Sequence, residues 1–256
     1  MRKRFFTLYI FLISLLCVAH SKNDVWYKKH KRRQTSNEFD ILIFTQRWPL
    51  TACFVWKENS ADHTCSLPKH DEWTIHGIWP TKYHTLGPQY CNKSLPFNTD
   101  AIAPLESQLK ENWLDIQNGS DPYAFWKHEW NKHGTCAISV KGISNEFDYF
   151  KEGLDLLQTY NMIDVLAKAN VLPGEKYAVD QIMAAVEKIL GKTSQVMCAK
   201  DRKTGESYVL EIRICFDKTL RLTDCNGVYE FPTNCDRTEP IIYPSYVPHR
   251  YSVQQT

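Results

Sequence analysis

Between Phe125 and Cys136 the chain reads FWKHEWNKHGTC, which sets His128, Glu129, Lys132 and His133 within six positions. The core HEWNKH is one residue longer than the H-E-x-x-H string by which a helix offers two imidazoles to one zinc ion. If the stretch is an α-helix, each residue advances about 100°, so His128 and His133 diverge by about 140° and do not share a metal. Within that arc fall Lys132 at about 40° and Glu129 at about 100°, while Trp130 and Asn131 point elsewhere. One face then carries a titratable base, a carboxylate one turn before it to orient it, a fixed cation and a second imidazole. That is equipment for moving protons around an anion, and it requires no metal and no cofactor. The plain alternative is a solvated charged face.

Two proton transfers at a phosphorus centre need groups on opposite sides of the reacting phosphate, and one helix face seldom supplies both. His76, in WTIHGIWP, is the candidate for the other side. A lone histidine in a strand is more often a core or edge residue. Here it precedes Gly77, which permits close backbone approach, and it stands between Trp73 and Trp79, which offer stacking surfaces for bases.

The elements that must hold these residues are legible in outline. FDILIFTQRW, ending at Pro49, reads as a buried strand, and EWTIHGIWP as a strand until Gly77 and Pro80 break it. DAIAPLESQLKENW places Ile102, Leu105, Leu109 and Trp113 at helical spacing; NEFDYFKEGLDLLQTY and YAVDQIMAAVEKIL, stopped by Gly191, read as further helices. YVLEIRICF alternates Leu210, Ile212, Ile214 and Phe216 with Glu211, Arg213 and Cys215, a strand with period two. Strands at both ends and helices between them predict an α+β fold, a largely antiparallel sheet flanked by several helices. Beyond Pro232 there is little periodicity.

A chain of 256 residues holds one sizeable core. Residues 1–21, with a basic start and an apolar run from Phe5 to Ala19, read as a signal peptide, which predicts a secreted or lysosomal or vacuolar product with no stable membrane insertion. Residues 22–38 read as a basic tail containing KKHKRR, 39–235 as the catalytic domain and 236–256 as a C-terminal tail. Loss of the leader removes Cys17 and leaves eight cysteines, an even set that implies disulfides in such a compartment. Sequons at Asn92 and Asn118 predict glycosylation there.

The leader carries three basic residues and no acid, so its removal takes the formal charge from +2 to −1. Residues 22–33 carry six basic residues and one acid, so without them the body stands at −6. A broad basic surface for nucleic acid is thereby excluded, and any binding is local. Seven histidines beyond KKHKRR restore positive charge in acid, each below its reference value of about 6.5.

TIHGIWP and FWKHEWNKHGTC resemble, in order and separation, the two active-site segments of the ribonuclease T2 family. The resemblance runs from about Phe39 to Phe216, includes QRWP and the cysteine distribution, and weakens in the tail. It implies an endoribonuclease that cuts single-stranded RNA without metal or cofactor, by attack of the 2′-hydroxyl on phosphorus to give a 2′,3′-cyclic phosphate. It implies an acidic optimum, low base specificity, no cleavage of DNA, and a monomer.

By the same resemblance His133 is the general base, His76 the general acid, Glu129 and Lys132 the supports of the charged phosphorane, and His128 a phosphate-binding imidazole. Trp79 is implied to stack on the base 5′ of the cut, Phe125 to line the 3′ base site, and Tyr83 to neighbour the first. Thr81 stands where many relatives carry an acidic residue. The family pattern pairs Cys53 with Cys65, Cys91 with Cys136, Cys198 with Cys235 and Cys215 with Cys225. Two other classes stand beside this reading, a non-catalytic secreted binding protein on the same fold and a zinc metalloprotease, the latter disfavoured by the i, i+5 spacing.

Overall fold

A computed structural model describes residues 37–60 and 62–248. The leader, the KKHKRR run and the last residues of the C-terminal tail lie outside the described residues. In chain order the elements are β1 (Ile41–Arg47), α1 (Pro49–Asn59), β2 (Thr74–Thr81), α2 (Thr99–Ile102), a 3₁₀ turn (Ala103–Leu105), α3 (Glu106–Asn112), α4 (Ala124–Glu129) and a π segment (Trp130–Gly134). There follow α5 (Thr135–Ala137), α6 (Glu146–Thr159), α7 (Met162–Lys168), β3 (Lys176–Tyr177), α8 (Val179–Leu190), β4 (Gln195–Lys200), β5 (Ser207–Phe216), β6 (Leu222–Thr223) and β7 (Ile241–Ile242).

β1 is branched and aromatic, ILIFTQR, and every residue but Arg47 is buried because it lies between β2 and β5. The sheet runs β2-β1-β5-β7-β3, with β4 and β6 also paired to β5. Among the described residues the strands pair antiparallel except β5 and β7, parallel at Tyr208 and Ile242, and an isolated bridge from Val196 to Thr233 is also parallel. The α+β architecture expected from the sequence is present. α6 starts at the Asn145 cap, whose side chain accepts from the Asp148 amide, and packs on β1 and β2. Between helices and sheet lie Phe44, Ile75, Ile78, Trp113, Trp126, Trp130 and Phe150, all buried in one cluster. Burying each such side chain contributes about 1.5–3 kcal/mol.

Five details differ from the sequence reading. Gly77 and Pro80 do not break β2; among the described residues its only partner strand is β1, and at such an edge a proline costs no central ladder bond. Pro49 ends the first strand but also opens α1, the position where its missing N–H is harmless. Pro104 divides the expected helix over 100–113 into α2, a 3₁₀ turn and α3. The alternate residues of β5 that read as a polar face are not solvated: Glu211 and Cys215 are buried. Finally, the segment after Cys235 is structural as far as it is described, since β7 pairs with β3 and β5 and Tyr243 is fully buried. The Tyr243 hydroxyl accepts from the Trp73 indole at 2.7 Å, and the Pro244 carbonyl from the Trp48 indole at 2.8 Å.

Four disulfides join Cys53 to Cys65, Cys91 to Cys136, Cys198 to Cys235 and Cys215 to Cys225. The second attaches α5, just past the π segment, to the loop after β2.

Candidate active site

His76 owes its position to an irregularity in β2. The β1–β2 register passes from Thr45 opposite Gly77 to Gln46 opposite Ile75, so His76 is the extra residue of a β-bulge. Bulges re-aim a side chain, and this one turns His76 into a cleft. The Trp113 indole donates to the His76 carbonyl at 2.9 Å and fixes the bulge from below.

The second histidine segment is not one α-helix, which corrects the arc drawn from the sequence. α4 ends at Glu129 and the backbone widens into a π segment, where the Thr135 N–H reaches the Trp130 carbonyl five residues back. The regular α-helix assumed over residues 128–133 therefore does not hold, and His128 and His133 line one lobe of the cleft, of about 330 Å³, with His76, Trp79, Glu129 and Lys132. Among the described residues no group of three or more His, Cys, Asp or Glu side chains is arranged to hold a metal ion.

Glu129 does not orient His133 as the sequence suggested. Its Oε2 accepts from the Trp79 indole at 3.0 Å, directly above Gly77. A Cβ on Gly77 would lie 2.1 Å from that oxygen and 2.3 Å from the Trp79 nitrogen, so only glycine allows the contact. Burial raises the Glu129 carboxyl, against the pull of His76, the Trp79 N–H, Arg47 and Lys132.

His133 is buried, and its Nδ1 has no hydrogen-bond partner among the described residues. Burial first, then Lys132, His76 and His128, push its imidazole down to about 2, so it stays neutral through the acidic range. His128, nearer solvent, is lowered by the same kinds of cause, burial before Lys132 and His76.

The carboxylate that does hold an imidazole is Glu211, from the inner face of β5. His76 Nδ1 lies 2.5 Å from Glu211 Oε1. Burial alone would raise the Glu211 carboxyl, but His76 and Arg213 overcome it and hold it down to about 2. Arg213 binds Glu211 Oε2 through Nε at 3.0 Å and Nη2 at 2.6 Å, and lies 5.1 Å over the Trp79 ring. Neither residue was singled out as a site residue in the sequence. The signal lay in the placing of Glu211 and Arg213 on the polar side of a strand with so apolar an opposite side.

Trp79 packs edge-on to His76 and tilted against His133, with centroids at 5.0 Å and 5.4 Å. Phe125 stands 5.8 Å from His76 under the Arg47 guanidinium and lines a second lobe, of about 510 Å³, with His76, His128 and Glu129. Thr81 lines the first lobe, whereas Tyr83 is exposed on the neighbouring loop and lines neither. Asn118 is exposed and Asn92 half-buried, both in loops outside the lining of these lobes.

Comparisons with known proteins agree in pointing one way. A sequence profile of the Ribonuclease T2 family matches residues 39–225. Ribonuclease Oy of Magallana gigas is 36% identical over 213 residues, 81% of this chain and 97% of that protein. Human Ribonuclease T2 is 32% identical over 225 residues, covering 86% and 80% respectively. Among solved structures, ribonuclease MC1 from bitter gourd seeds superposes with a TM-score of 0.67 at 30% identity, over 80% of this chain and all of that one.

Proposed function

This chain belongs to the ribonuclease T2 family, and from that premise we propose that it cleaves single-stranded RNA internally, by two histidines acting on opposite sides of a phosphate. The observation that carries the reading is the convergence of His76 from β2 and His133 from the π segment on one lobe with Lys132, Glu129 and His128.

His133, neutral in acid, takes the proton of the ribose 2′-hydroxyl as that oxygen attacks the adjacent phosphorus. His76, engaged at Nδ1 by Glu211, offers Nε2 to protonate the departing 5′-oxygen. Lys132 and His128 face the phosphate, and with Glu129, whose carboxyl is raised by burial, they support the charge that develops on its oxygens. A 2′,3′-cyclic phosphate results. DNA has no internal nucleophile and is left uncut. Trp79 and Phe125 offer ring surfaces on either side, and stacking of about 1–3 kcal/mol per base tolerates every base, which supports low base specificity.

Hydrolysis of poly(rU) and poly(rA) across about pH 4 to 8 in EDTA tests the reading, with cleavage of both expected and fastest in acid, where His133 stays neutral. Loss of activity in EDTA that zinc restores would return the reading to a metal enzyme. For residues 1–21 we propose a leader into the secretory or lysosomal route, with glycans on Asn92 and Asn118 and a monomeric product. Amino-terminal sequencing, glycosidase shifts and light scattering of the product made in eukaryotic cells test these points. No helix of the described residues is long and apolar enough to cross a membrane.

A further inference from the structure

We propose that Glu211 is the positioning residue for His76: its carboxylate, clamped by Arg213, keeps the proton of the imidazole on Nδ1 and so presents Nε2 to the leaving 5′-oxygen. The inference rests on the ribonuclease reading above and adds to it a residue from β5, which β1 separates from β2 in the sheet.

Both carboxylate oxygens are committed. Oε1 takes His76 Nδ1 at 2.5 Å, and Oε2 takes Arg213 Nε and Nη2 at 3.0 Å and 2.6 Å. Rotation of the carboxylate away from His76 therefore costs two charge-assisted bonds to Arg213. Arg213 cannot follow, since its Nη1 donates to Gln195 Oε1 at 3.2 Å and Gln195 Nε2 donates to the Tyr229 carbonyl at 2.8 Å. Gln195 is fully buried and Tyr229 forms part of the wall of the lobe that holds His133. On its other side His76 is tied by the Trp113 indole to its carbonyl, so ring and backbone are held independently.

A carboxylate on the outer nitrogen of a catalytic imidazole fixes its tautomer and the orientation of its ring. An acid must present its other nitrogen to the leaving oxygen to give its proton there. The other charged and titratable groups facing His76 are Arg47 from β1, Asp115 from the loop before α4, Arg213 from β5, Tyr229 and Glu230 from the loop after β6, and His128, Glu129, Lys132 and His133 from the helix and π segment. Of the acids among them, Glu129 is raised by burial and engaged by Trp79. Asp115 caps its own loop through the Gln117 amide and the Ser120 hydroxyl. Among the described acids, Glu211 is the one hydrogen-bonded to the ring.

The test separates an acid defect from a general one. Uridylyl-3′,5′-adenosine needs its leaving alkoxide protonated, whereas uridine 3′-(4-nitrophenyl phosphate) expels a stable phenolate. Glu211→Gln should lower kcat/KM on the dinucleotide by about tenfold to hundredfold and leave the aryl ester within about threefold. His76→Ala should show the same selectivity more strongly. Glu211→Gln with Arg213→Gln removes the unpaired cation as well, and keeps the comparison valid if the single variant folds poorly. Equal losses on both substrates would overturn the inference. A wild-type protein inactive on both would overturn the ribonuclease reading with it.

Discussion

His133 shows how burial sets both chemistry and stability. Its imidazole is pushed from 6.5 to about 2, so the folded protein resists a proton that the unfolded chain takes up below about 6.5. The group thus withdraws stability as pH falls below 6.5, by about 2 kcal/mol at pH 5, at 1.36 kcal/mol per unit. Glu211, held down to about 2, works the other way: its contribution is whole above its ordinary value of 4.5 and is lost only as pH falls toward 2. Glu146, raised to about 7 by burial, works in the opposite sense over the same range, so the test is the difference: between pH 7.5 and pH 5 the stability of His133→Gln in urea should change by about 2 kcal/mol less unfavourably than that of the wild type. The same variant should lose about a hundredfold or more of its activity on RNA, as should His76→Ala. At this scale the sequence displayed His76, His128, Glu129, Lys132 and His133 through residue type and spacing. It hid Glu211, because a glutamate in a strand declares nothing until the pairing of β1 with both neighbours brings it beside His76.

Two backbone irregularities, a bulge at His76 and a π turn before His133, make the site, and neither has a periodicity that sequence inspection detects. The wheel drawn over residues 128–133 assumed regular α geometry and so sent the two imidazoles apart. The wide turn removes that assumption, and both residues line one lobe of the cleft. Gly77→Ala tests the close approach of Glu129 and Trp79: overpacking of about 1–3 kcal/mol is expected in denaturant unfolding, with a fall in RNA cleavage that persists at temperatures where the variant is folded. Loss of the Cys91–Cys136 bond, by replacing both residues with serine, should cost about 2–5 kcal/mol and lower activity through the π segment it anchors. Strands and long helices were legible because β1, β5, α6 and α8 keep strict apolar patterns. Short pieces such as α2 and α7 were not, since a few residues carry no period.

For the molecule as a whole, the fold class followed from strands at both chain ends with helices between, but the extent of the fold did not. A polar, proline-rich stretch looks like a tail, yet it supplies β7 and the partners of two buried indoles. Ending the chain at Cys235 should therefore lower Tm sharply, since a buried donor without its acceptor costs about 1–3 kcal/mol at each of Trp48 and Trp73. The return of charge in acid is also smaller than a count of histidines suggests, because burial keeps His133 neutral and lowers His128. What the molecule presents to RNA is one local cleft. Its chemistry is tested most directly with a DNA strand carrying a single ribonucleotide, incubated in EDTA at about pH 5 and analysed by mass spectrometry. One cut, immediately 3′ of the ribose, with a 2′,3′-cyclic phosphate on the new end, is the predicted result. A cut at deoxynucleotides, or a first product without the cyclic phosphate, would contradict the two-histidine account.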